Sequence, residues 1–103
     1  MNKEIIVFSN KEATKIFLSI GIEAYISDNV TEIRNEIRNV IALGAKILII
    51  DEELNEDIKD IKEHYDNIIY PIFLSLPMGE SSSSESLNEL KEMIEKAIGF
   101  SIN

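Results

Sequence analysis

The chain has no cysteine, a single histidine, two prolines and four glycines in 103 residues. Without cysteine it forms no disulfide, no thiolate metal site and no cysteine nucleophile. His64 has no histidine or cysteine companion, so a zinc centre and a serine-type triad both lack their parts. A histidine on a helix surface is the expectation. No apolar run approaches the length of a membrane span. The opening string MNKEIIVFS lacks the apolar stretch and small-residue cleavage site of a signal peptide, so a soluble cytoplasmic protein is expected. The glycines fall at element ends, not in a phosphate-cradling loop between strand and helix, which leaves nucleotide binding without a motif.

Basic charge is scarce in one half only. Residues 1–50 carry six Lys/Arg and six Asp/Glu, whereas residues 51–103 carry four and thirteen, so the second half supplies the whole formal charge of −9. Phosphate backbones and anionic lipid repel such a chain, and neither nucleic-acid binding nor direct membrane insertion is expected. The acids fit solvated helix faces, and they also fit a basic protein partner.

The hydrophobic pattern alternates between two periods. IIVFS (Ile5–Ser9) and KILII (Lys46–Ile50) are continuous aliphatic runs, suited to central strands covered on both faces. IEAYI (Ile22–Ile26) alternates, with Glu23 and Tyr25 opposite Ile22, Ala24 and Ile26, as an edge strand does. PIFLSL (Pro71–Leu76) is bracketed by Pro71 and Pro77, which suits an outer strand. Between the strands, Ala13, Ile16, Phe17 and Ile20 form one helix face, started by Asn10 and ended by Gly21. Val30, Ile33, Ile37, Val40 and Ile41 form a second, whose outer Glu32, Arg34, Glu36 and Arg38 read as plain solvated surface. Leu54, Ile58, Ile61 and Tyr65 form a third.

Pro77–Ser86, PMGESSSSES, then reads as a polar tether with nothing to bury. It leads to a last helix with a capping-box spacing at Ser86 and Glu89 and an apolar stripe at Leu87, Leu90, Met93, Ile94, Ala97 and Ile98. Strand–helix alternation with short connections predicts right-handed crossovers and an α/β fold with a four-stranded parallel sheet, order 2-1-3-4, flanked by helices. The expected division is a sheet domain over 1–76, a flexible linker over 77–85, and a C-terminal helix with its tail over 86–103. The first helix then half-covers one face, and the final helix is the element left to cover the rest.

That order puts a switch point between strands 1 and 3, where Ser9, Asn10 and Asp51 meet. Receiver domains of response regulators accept a phosphoryl group on an aspartate at such a place. They need acids after strand 1 to hold a divalent metal, and here Ser9 and Asn10 stand there. The simpler reading makes Asp51 the cap of the third helix, with Glu52 and Glu53 facing its positive end. Glu56 and Asp57 add acid without calcium-loop spacing. No cofactor is expected.

Over essentially its full length the chain resembles the F subunit of vacuolar/archaeal-type rotary ATPases, called G in some bacterial sodium pumps. PIFLSLPMGESSSSESLNELKEMIEKAIGFSIN is similar to the family's proline-led strand, polar linker and helix ending EKAIG. FLSIGIEAY and ILIIDEEL resemble its patterns around strands 2 and 3. The sequence departs at Ser9-Asn10, where members often have Gly-Asp, at Met78, where serine is usual, and at Leu18, near which a polar residue is common. The resemblance implies a non-catalytic part of the central stalk that binds the D subunit and rotates inside the catalytic A/B hexamer. Its C-terminal helix would reach the hexamer and modulate hydrolysis coupled to H+ or Na+ transport. Leu87, Leu90, Met93, Ile94 and Ile98 are the residues expected to pack on partner helices. The alternative is a degenerate receiver-like signalling domain with Asp51 at the acceptor position.

Overall fold

A computed structural model describes residues 2–78 and Glu92. Four strands, β1 (Asn2–Ser9), β2 (Ile22–Ile26), β3 (Ile47–Asp51) and β4 (Ile72–Leu76), form one sheet in the order β2-β1-β3-β4. Every pairing is parallel, as the alternating pattern predicts. The continuous aliphatic runs are central because both of their faces are buried: Ile5, Val7, Ile47 and Ile49 point to one face and Ile6, Phe8, Leu48 and Ile50 to the other. Each such side chain contributes about 2 kcal/mol through the surface it withdraws from water.

Among the described residues, the second face carries the larger set of covering elements. Helix α1 (Val30–Ala42) lays Ile33, Ile37 and Val40 on it, and the segment after β3 adds Leu54, Ile58 and Ile61. Asn29 caps α1 by accepting from the Glu32 N–H at 3.2 Å. Val30, expected inward, is the first residue of α1 and is 37% exposed. The third helix is not continuous. A 3-10 turn (Glu52–Leu54) leads through residues 55–58 into a short helix α2 (Lys59–His64), yet the apolar residues keep one face. Arg34 is no mere solvated charge either. Its guanidinium donates to both Asp60 oxygens at 2.7 and 2.8 Å and to the Asp57 carbonyl at 2.7 Å, tying α1 to the start of α2. That bidentate contact holds the Asp60 carboxyl down at about 2.

On the first face a 3-10 helix (Glu12–Ile20) replaces the expected α-helix. Thr14, Phe17 and Ile20 recur every third residue, the period at which side chains eclipse in this tighter coil. Asn10 does not cap it; Lys11 holds the cap position without a side-chain bond. Gly21 ends it at φ 82°, in the left-handed region that glycine enters freely. Met78, read as part of a tether with nothing to bury, is 6% exposed and packs with Leu76, Ile47 and Ile49. The rest of the expected linker and final helix, and with them the covering of this face, lie outside the described residues.

One buried polar atom has no partner among the described residues, the Thr14 hydroxyl. Replacing Thr14 by valine keeps the shape and removes that cost. Thr14→Val is expected to stabilise the fold by about 1–2 kcal/mol, read as a higher urea midpoint at unchanged m-value.

Candidate functional site

β1 and β3 lie side by side, but their connections leave over opposite faces, so their carboxyl ends form the switch point where α/β folds bind ligands. Ser9 ends β1 and Asp51 ends β3, and both side chains are fully buried. Ser9 Oγ donates to Asp51 Oδ2 at 3.3 Å and accepts from the Lys11 N–H at 3.0 Å. Asp51 Oδ1 accepts from the Glu53 N–H at 3.1 Å, which makes Asp51 the cap of the turn after β3, as the simpler reading expects. The element capped is a 3-10 turn rather than an α-helix.

The third contact is one that sequence reasoning misses. Lys11, which the pattern shows only as the start of a helix, folds its ammonium onto Asp51 and Glu53 together. Burial works against the charged lysine, but hydrogen bonds to Asp51 and Glu53 and their negative charge outweigh it and raise its pKa above 10.5. The signal available is its position two residues beyond β1, within a turn's reach of the end of β3. Asn10, expected at this place, is exposed and takes no part.

With a lysine, a hydroxyl and a backbone N–H on it, the carboxylate has no oxygen turned to solvent. A phosphoryl acceptor needs an oxygen open to the incoming group and acids beside it that hold a divalent metal. Here both oxygens are held by donors of the chain, and Lys11 is shared with Glu53. The cluster is a clasp between two loops. Among the described residues no group of three His, Cys, Asp or Glu side chains is placed to hold a metal ion. His64 is exposed at the end of α2, edge-on to the Tyr65 ring at 4.9 Å, as expected of a surface histidine.

The conspicuous surface lies at the other end of β4. Of seven large hydrophobics exposed among the described residues, Ile68, Ile69, Tyr70 and Ile72 fall within one loop and strand start. No charged residue occurs from 67 to 79, although the half of the chain around it is strongly acidic. Lys46 sets its ammonium 5.6 Å from the centre of the Tyr70 ring. A shallow hollow of about 210 Å³ opens between Tyr65, Ile68, Pro71 and Phe73. Apolar patches of this kind on a small protein mark surfaces that another molecule covers. Leu87, Leu90, Met93, Ile94 and Ile98 lie outside the described residues.

The sequence model of the family described as ATP synthase (F/14-kDa) subunit matches residues 5–94. The chain belongs to that family. It is similar to the V-type ATP synthase F subunit of Fusobacterium nucleatum, at 26% identity over 96% of this chain and 94% of the relative. It is similar also to the V-type ATP synthase F subunit of Clostridium perfringens, at 22% over 99% and 97%. The A-type ATP synthase F subunit of Methanothermobacter thermautotrophicus matches at 25% over 96% and 95%. Membership makes the chain an accessory rather than a catalytic part of such a complex, and so one with partner subunits. No helix among the described residues is long and apolar enough to cross a membrane.

The clasp has a pH signature. A lysine whose folded pKa lies above 10.5 adds stability that is complete below that pH and disappears as the pH rises through the folded value. The difference in thermal midpoint between the unaltered chain and Lys11→Met is therefore expected to be constant from about pH 7 to about pH 9 and to shrink above 10.5.

Proposed function

We propose that the chain is a central-stalk rotor component of a V/A-type ATP synthase or ATPase on the cytoplasmic face of the membrane. It binds the D subunit and modulates ATP hydrolysis coupled to H+ or Na+ movement. The observation that carries this reading is the family match over residues 5–94, with relatives named as F subunits aligned over nearly their whole length. Two features of the molecule support it. The buried carboxylate at the sheet end is spent on a clasp between loops, which suits a rigid part that other parts are mounted on. The exposed, uncharged stretch Ile68–Ile72 gives a helical partner an apolar seat.

In this reading the sheet domain, residues 1–76, sits on the shaft. The segment 77–85 is a tether, and the helix from 86 carries Leu87, Leu90, Met93, Ile94 and Ile98 toward the A/B hexamer. A stripe of that spacing inserts against a helix pair by knobs-into-holes packing. Met78, inside the proposed tether, is buried in the first-face cluster and fastens its near end to the sheet domain.

Affinity capture with the D subunit from the same gene cluster is expected to retain the chain at micromolar concentration, with Ile69→Asp weakening retention at least about tenfold. Removing residues 80–103 is expected to leave that capture intact while changing the ATPase rate of the assembled complex. Absence of capture would overturn the rotor assignment, and an unchanged rate would overturn the regulatory role of the last helix.

A further inference from the structure

A second surface lies on the opposite edge of the sheet. α1 packs over β1 and β3, and a groove of about 360 Å³ opens between it and the outer strand β2, whose Tyr25 packs against the second-face core. Ile6 and Val40 give it an apolar floor, Tyr25 closes one side, and Leu43, 76% exposed, stands at its lip. Glu23 from β2 and Glu36 from α1 line it as well, each half-buried. Glu36 receives one long hydrogen bond, from the Asn39 amide at 3.4 Å, and Glu23 has no hydrogen-bond or ion-pair partner among the described residues. Two half-buried carboxylates beside an apolar hollow, with no cation paired to either among the described residues, form an arrangement that a lysine or arginine from elsewhere completes.

We infer that this groove seats another component of the complex through an aliphatic side chain flanked by lysine or arginine. The inference rests on the family membership and names a surface different from the Ile68–Ile72 seat. Charge decides the occupant. A second copy of the chain brings another −9 and sets like-charged rims against each other. The chain's own C-terminal segment, residues 79–103, carries five acids against two lysines, so its net charge also opposes the rim. A basic-flanked partner gains on both counts: its apolar residue covers Leu43 and the floor, and its cation answers Glu23 and Glu36.

The test uses the assembled ATPase complex. A photo-crosslinking p-benzoylphenylalanine replaces Leu43, or Thr31 as an exposed control on the same helix. The position-43 probe is expected to join the chain to a different component of the complex, and the position-31 probe is expected not to. The double variant Glu23→Gln, Glu36→Gln is expected to dissociate from the complex about tenfold more readily at low salt, with the difference fading as salt rises. Failure to co-purify with the complex would overturn both this inference and the rotor reading. Co-purification without a crosslink at position 43, or with a crosslink only to a second copy or to residues 79–103, would overturn this inference alone. Equal retention of the double variant at all salt concentrations would also overturn it.

Discussion

A carboxylate at the end of a central strand is withdrawn from water on every side, and the fold has to answer its charge. β3 ends on Asp51 because Ile47–Ile50 have already buried both faces of the strand, and the chain must then turn over the second face. Asp51 organises that turn through the Glu53 N–H and reaches across to β1 through Ser9. The charge itself is balanced by Lys11 from the next loop. Losing a partner of a largely buried ion costs several kcal/mol, so this contact fixes how the two central strands leave the sheet. The position of the 3-10 helix on one face and of α2 on the other follows from it.

The same contact decides between the two functions open to this architecture. A switch-point aspartate serves as a reactive group when an oxygen faces solvent and the incoming group can reach it. In this chain the counter-ion is a side chain and the oxygens face donors. What the molecule presents is surface: an apolar, uncharged patch around Ile68, Ile69, Tyr70 and Ile72 beside β4 and an acid-rimmed groove beside β2. The two lie on opposite edges of one sheet. That is the geometry of a structural component.

Much of this is legible in the residues. Continuous runs against alternating ones separate central from outer strands, and the order 2-1-3-4 follows from short crossovers. The 3-10 helix escapes the pattern because Ala13, Ile16, Phe17 and Ile20 fit the 3.6-residue period of an α-helix, whereas the buried pair Thr14 and Phe17 follows a spacing of three that includes a polar residue. Arg34 reads as plain surface because its partners, Asp57 and Asp60, are distant in sequence and near only after α1 and α2 pack. Lys11 is hidden for a similar reason: a long flexible side chain finds its carboxylate in three dimensions and leaves no spacing behind. The groove between β2 and α1 has no sequence signature, since it depends on where α1 lies across the sheet.

The claim that Asp51 is held by Lys11 as a structural clasp is tested most directly by a double-mutant cycle in chemical denaturation. Lys11→Met and Asp51→Asn are each expected to cost about 2–4 kcal/mol, and the double variant about 2 kcal/mol less than their sum. Costs that add to within about 0.5 kcal/mol would contradict the clasp and return Asp51 to the groups available for chemistry.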